Sequence, residues 1–261
     1  MTDEIRLEVA DHVARVTIDR PAVLNAIDSH SAERLEEIWQ QIEGDRSVRV
    51  VVVSGSGERS FCVGADLSDA TSDKTGLEAW SQFSESGFGG LSLRTSLEVP
   101  IIARVNGYAL GGGMEMVLGC DIVVAAEHAQ FGLTEPRVGQ IPCDGGAVQL
   151  VRRVSYTQAM GLLLTGRRAA AAEMFRIGLV NEVVPFSDLD AAVDRWVADV
   201  LACSPTSLRA IKQTVYRGSG LSAKDAHALR LPALVAALDS ADSREGREAF
   251  QQKRPPVWTG R

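Results

Sequence analysis

Apolar and polar residues alternate at the start of the chain. In "IRLEVADHVARVTID" (residues 5–19) the alternation runs up to "ADH" and resumes after it, which predicts a β-hairpin. "RPAVLNAI" follows as a loop. After Asp28 the period lengthens: in "SHSAERLEEIWQQIEGD" the residues Leu35, Ile38, Trp39 and Ile42 share one face of a helix that Gly44 or Asp45 ends. "VRVVVVSGSG" is almost wholly apolar, as a strand buried on both faces should be. "PIIARVNGY" reads as a further strand, with a helix starting in "GGGMEMVLGCD". "IVVAAEHAQFGL" gives two strand-like pieces, and "GGAVQLVRRV" and "YTQAMGLLLTG" have helical spacing. "RRAAAAEMFRIGLVNEVV" reads as a helix leading into a strand.

Beyond Asp188 the pattern is helical: "DLDAAVDRWVADVLACS", "PTSLRAIKQTVYRG" and "SAKDAHALRLPALVAALDS", with "REAFQQKRPPVWTGR" as a tail. The apolar face of "LVAALDS" is expected in the core or at a subunit contact. No sequence repeat is visible, only recurrent strand–strand–helix patterning. Residues 68–90 read as a long loop with a helical middle; a loop of that length in a compact domain is usually functional. Its Trp80, Phe83 and Phe88 would either pack internally or wall an acyl pocket.

Composition narrows the class without naming it. The 261 residues, 45% hydrophobic and 23% charged, can bury a sizeable core. A net charge of −7 disfavours a general nucleic-acid binder. Only four residues are lysine: Lys74, Lys212, Lys224 and Lys253. The first residues lack a basic segment followed by an apolar run, so no signal peptide is expected. No apolar run reaches membrane-spanning length; "LGCDIVVAA" is interrupted by Asp121. Cys62, Cys120, Cys143 and Cys203 are scattered without a CxxC pair, which disfavours zinc and thioredoxin-like chemistry and suits reduced cytoplasmic thiols. "VVVSGSGERSF" has Ser60 where a dinucleotide fingerprint needs its third glycine, and no phosphate-binding G-x-x-x-x-G-K occurs. His12, His30, His128 and His227 form no nucleophile or metal pattern.

The chemistry concentrates in "NGYALGGGMEM" (residues 106–116). Three glycines where a strand hands over to a helix cost stability, about 1 kcal/mol each inside a helix. They allow a ligand to approach helix-start N–H groups that lack internal partners. A tight packing turn would use the same glycines. A second site, Gly64-Ala65 in "SFCVGADLSD", follows the buried strand and could offer another N–H. Two such donors from separate loops suit the oxyanion of a thioester, each contributing about 3–4 kcal/mol in a transition state.

Four segments, "RPAVLNAI", "RSFCVGADLSD", "PIIARVNGYALGGGMEMVLGCDIVVAAEHAQFGLTEPRVGQIPCDGG" and "AFQQKRPPVW", resemble the crotonase, or enoyl-CoA hydratase/isomerase, superfamily in order along the chain. The resemblance implies an α/β fold, the crotonase spiral of repeated ββα units with a C-terminal helical region. Residues 1–190 would hold the CoA and catalytic site, and residues 191–261 would form a helical oligomerisation region. It implies oxyanion donors at Ala65 and Gly112 and catalytic carboxylates at Glu115 and Glu135, with Glu115 as base and Glu135 as acid. It implies contacts to substrate or CoA from Leu24, Ala26, Val63, Asp66, Leu67, Gly146, Phe250 and Lys253.

The implied reaction is reversible syn hydration of a trans-2-enoyl-CoA, as in β-oxidation. No metal site or cofactor is expected beyond the CoA of the substrate, nor any nucleic-acid or membrane partner. The assembly would be a trimer or a hexamer of paired trimers. Where relatives often carry "IPGAGG", this chain has "IPCDGG" (residues 141–146), so Asp144 is either a turn residue or a third carboxylate. The third-carboxylate reading keeps a Δ3,Δ2-enoyl-CoA isomerase open as an alternative. The tail "KRPPVWTGR" is similar to hydratases of carnitine-type CoA esters, which widens the substrate range. A non-catalytic CoA- or RNA-binding relative is disfavoured by the low pI and the retained glutamates.

Overall fold

The computed structural model describes residues 4–68, 77–78 and 84–261. Strands β1 (Ile5–Ala10) and β2 (Val13–Ile18) form the expected hairpin, turning through Asp11 and His12 at φ 47° and 70°. Two successive positive φ values match the right-handed twist of the strands. Helix α1 (Ser29–Gly44) starts at Asp28, whose side chain accepts the Ser31 N–H at 2.8 Å. Its face of Leu35, Ile38, Trp39 and Ile42 is buried as the spacing requires.

The following strands are β3 (Val50–Gly55), β4 (Ser60–Cys62), β5 (Ile101–Val105), β6 (Tyr108–Leu110), β7 (Ile122–Ala126) and β8 (Gln130–Gly132). They divide between two sheets in alternation. The larger sheet has the order β1-β2-β3-β5-β7-β10, where β10 is Glu182–Val184. The smaller has the order β4-β6-β8-β9, where β9 is Ala169–Ala170. Each pair gives its first strand to the large sheet and its second to the small one. Helix α2 (Gly112–Gly119) follows β6; α3 (Gly146–Arg153) and α4 (Tyr156–Leu163) follow β8; α5 (Ala171–Arg176) follows β9. The result is the crotonase-type spiral of ββα units.

Both faces of the large sheet are covered, which explains the apolar run in β3. Val51 and Val53 pack with α1 and α2 in the main core. Val50 and Val52 pack with Leu189, Ala192, Val193 and Val197 of α6 (Leu189–Leu201) on the other face. Four further helices follow among the described residues: α7 (Pro205–Gly218), α8 (Ala223–Ala228), α9 (Pro232–Leu238) and α10 (Ala241–Gln252). No helix of the described residues is long and apolar enough to cross a membrane.

The structure departs from the sequence pattern in four places. "PIIARVNGY" is not one strand: the chain leaves the large sheet at Asn106, whose buried amide donates to the Gly57 and Ser60 carbonyls at 2.7 and 2.8 Å, and joins the small sheet at Tyr108. Ser60–Cys62, to which the pattern assigns no element, is strand β4, pairing in parallel with β6. "SAKDAHALRLPALVAALDS" is broken between α8 and α9, because Leu231 before Pro232 is extended at ψ 141°. The first half of the expected tail is the end of α10, and only the residues after Lys253 are irregular.

Candidate active site

Strand β6 ends at Leu110. Gly111 (φ 54°, ψ −129°) turns the chain into α2 while its N–H donates to the Gly132 carbonyl at 2.8 Å. The glycines are there for close approach. A Cβ on Gly113 would collide with the Cys62 carbonyl of β4. A Cβ on Gly64 (φ +100°) would stand 3.2 Å from the Gly112 nitrogen. The "CVGAD" and "GGG" segments therefore meet backbone to backbone.

Their N–H groups are left over. Ile27 bridges Ala65 in parallel, donating to the Gly64 carbonyl and accepting from the Asp66 N–H, both at 2.9 Å. In that pattern the N–H of Ala65 points away from Ile27. Gly112 is the first residue of α2, whose N–H has no acceptor in the preceding turn. Among the described residues neither N–H has an acceptor. Phe88 lies over this point: a Cβ on Gly112 would be 2.6 Å from its ring. The Phe88 turn is held from below, where the Trp39 indole donates to the Gly89 carbonyl at 2.8 Å and buried Arg94 to the Gly90 carbonyl at 3.2 Å. Trp80 and Phe83 lie outside the described residues.

Glu115 projects from the first turn of α2 and is 3% exposed. Its Oε1 accepts the Gly146 N–H at 2.8 Å. Burial pushes its carboxyl up to about 8; the Gly146 bond works against this, and the negative charges of Asp144 and Glu135 add to it. Glu135 opens a 3-10 turn, Glu135–Val138, after β8. Its Oε1 is 3.5 Å from where a Cβ of Gly111 would stand, so it hangs over the same glycines. Its Oε2 is buried with no partner among the described residues. Burial, and then Asp144, raise its carboxyl as well.

Asp144 joins this cluster. Its own carboxyl is raised by burial, and its main-chain carbonyl is fixed by the Ser92 hydroxyl at 2.5 Å. Three carboxyl groups, each raised by burial, thus lie within electrostatic reach of one another, an arrangement in which a proton is retained and can be handed on.

The other expected contacts divide into two groups. Leu24 and Ala26 lie beside the glycine loops. Leu24 (φ 56°) accepts from the Ser60 hydroxyl at 2.6 Å, and Ala26 from the Arg20 guanidinium at 2.6 Å. Buried Asn25, which the sequence reading passed over, ties this turn to β4 through the Ser60 carbonyl at 2.7 Å. The Asp66 carboxylate is already engaged by the Ser68 hydroxyl at 2.6 Å and Arg20 at 3.1 Å, and the Ser68 bonds hold it below the usual carboxylate range. Arg20 also pairs with Glu4 and Asp28, so one side chain aligns both loops. Val63 is half-buried and Leu67 is 84% exposed. The Gly146 N–H is directed at Glu115. Phe250 is 85% exposed and Lys253 lies in the left-handed region at φ 52°, and no hydrogen bond or ion pair among the described residues joins either to these residues. Their segment bonds instead to Glu245, Asp242 and Ala202 through Arg254, Thr259 and Trp258.

Comparison with known proteins gives this geometry its relatives. The family model described as enoyl-CoA hydratase/isomerase matches residues 8–261. The chain is 35% identical over 258 residues to (E)-benzylidenesuccinyl-CoA hydratase of Thauera aromatica, covering 98% of this chain and 99% of that one. It is 36% identical to carnitinyl-CoA dehydratase of Proteus mirabilis, covering all of both chains. The crystal structure of an enoyl-CoA hydratase from Bacillus anthracis superposes with a TM-score of 0.92 at 32% identity, covering 99% of this chain and 100% of that one. With a family model spanning nearly its whole length and glycine loops meeting beside paired carboxyls, the chain belongs to the enoyl-CoA hydratase/isomerase family.

Proposed function

We propose that the protein is an enoyl-CoA hydratase that adds water reversibly to a trans-2-enoyl-CoA to give a 3-hydroxyacyl-CoA. One observation carries this reading: two N–H groups without acceptors among the described residues, on Ala65 and Gly112, lie on glycine loops that meet beside the buried pair Glu115 and Glu135. The N–H groups receive the thioester oxygen as it gains charge. The carboxyls hold a proton between them, as a coupled pair should.

The anchored carboxylate of Glu115 takes a proton from water as oxygen attacks Cβ. Glu135, whose Oε2 has no donor among the described residues to support an anion, carries the shared proton and delivers it to Cα. A neutral Glu135 no longer repels Glu115, but burial still raises Glu115, so its base form is the minor one below about 8 and hydration should gain from rising pH up to there. The backbone around Leu24 and Val63 holds the CoA moiety. Lys253 and Phe250 complete the CoA site across the subunit boundary of a trimer or a pair of trimers. The relatives named for other CoA esters make the acyl group the open part of the assignment. The direct test is incubation with crotonyl-CoA, which should lose its conjugated enone absorbance; persistence of that absorbance rules the reading out.

Asp144 gives a second expectation. The acid, Glu135, must be protonated, so kcat/KM should fall on the alkaline side as pH passes the raised range of its carboxyl. Asp144 lies within the field of both glutamates and raises both. Asp144→Asn should therefore leave hydration within a few-fold at neutral pH and move the alkaline limb to lower pH. An unmoved limb would remove Asp144 from the proton economy of the site. Selective loss of 3-enoyl-CoA isomerisation in this variant would instead favour the isomerase reading.

A further inference from the structure

Away from the glutamates, a cavity of about 310 Å³ opens between the turn after α1, the first turns of α7 and α9, and the C-terminal residues. Three arginines are among the residues that line it: Arg46, Arg209 and Arg261. Arg46 and Arg209 also line an adjoining cavity of about 240 Å³, so they stand between the two spaces. None of the three forms an ion pair among the described residues.

Arg209 is the informative one. It is half-buried on α7, and its one side-chain hydrogen bond among the described residues is a long one, 3.4 Å to the Val48 carbonyl. A guanidinium has five N–H donors and is costly to bury without acceptors. Burial and the nearby charges of Arg46 and Arg49 lower its proton affinity, and only Glu98 opposes them. Glu98 also accepts from the Gln213 amide at 3.0 Å, a neutral donor that leaves its charge in place. The neighbouring carboxylate of Glu43 is taken by Arg94 and Ser96. Four guanidinium groups, on Arg46, Arg49, Arg209 and Arg261, therefore outnumber the carboxylate of Glu98 even with the main-chain carboxylate of Arg261 counted beside it. The opposite wall, Pro232 and Ala236, is apolar.

We propose that this cavity binds a small phosphate-bearing molecule, its oxyanion held by Arg46, Arg209 and Arg261. Guanidinium forks match tetrahedral oxyanions in bidentate geometry. The volume sits at the lower end of small-molecule sites, which begin at about 300 Å³. It suits a compact ligand, with any organic part lying on Pro232 and Ala236 and any hydroxyl meeting Glu98.

The test is isothermal titration of the full chain with inorganic pyrophosphate and, separately, with glycerol 3-phosphate, at constant ionic strength. Wild type, Arg209→Gln and the surface variant Arg46→Gln are compared. Saturable binding of either probe should weaken at least about tenfold in both variants, the loss expected for one charged hydrogen bond. Hydration of crotonyl-CoA should be unchanged. The tighter probe shows whether the site reads a bare anion or an organic phosphate. Failure of both probes to saturate, or equal binding by wild type and Arg46→Gln, overturns the proposal.

Discussion

Glu115→Gln and Glu135→Gln each lower the turnover of enoyl-CoA hydration by about 100-fold or more, the scale of a lost general acid or base, with acyl-CoA binding retained. The amide keeps the size and shape of each side chain. In Glu115→Gln the carbonyl oxygen can still accept the Gly146 N–H, so the loop after the 3-10 turn stays in place. What disappears is the ability to exchange a proton. The glycine loops, Ala65 and Gly112 are untouched by either change, so thioester binding should survive while the chemical step fails. Loss in kcat at near-constant affinity is the signature of an interaction made in the transition state alone. Near-normal turnover in either variant would remove that residue from the mechanism.

The second large effect is on stability, and its sign is opposite. The Glu115 carboxyl stands at about 8 in the folded chain, against about 4.3 in an unfolded one. Between these values the folded state binds more protons than the unfolded state, so stability falls as pH rises across that window. Below it both states are protonated and nothing is lost. Above it the full cost of a buried, repelled carboxylate is carried. Glu115→Gln removes this titration. The variant should match wild type in acid and become more stable as pH rises through neutrality, by an amount on the order of a few kcal/mol at the alkaline end. Urea unfolding across this range measures it. Stability curves that run parallel would mean that Glu115 is not held protonated. A catalytically dead but more stable variant is the trade expected where a site stores unfavourable charge.

Much of this was legible from residue spacing. The face of Leu35, Ile38, Trp39 and Ile42 reads out α1 because one side of that helix is buried and the other is wet. β3 is legible as a buried strand because α1 and α6 cover opposite faces of it. β4 and β9, at three and two residues, carry no period of their own and exist through their partners in the small sheet. The end of α10 was missed because it is polar and its large apolar residue, Phe250, is exposed. Its start did have a signal, Ser240 accepting from the Ser243 N–H at 2.9 Å.

At the site, the glycines and glutamates were visible as residue types in a familiar order. The field around them was not. Asp144 was left open between a turn residue and a third carboxylate, and its field on both glutamates favours the second; that Gly146 supports Glu115 and that Arg20 aligns two loops at once are contacts between segments distant in the chain. No local pattern encodes them.

The most direct measurement follows crotonyl-CoA in deuterated water by proton NMR. The account predicts a 3-hydroxybutyryl-CoA with one deuterium at Cα, formed by wild type and abolished by Glu115→Gln and Glu135→Gln. Recovery of unreacted crotonyl-CoA, or deuterium incorporated at Cγ with no hydroxyl at Cβ, would contradict it.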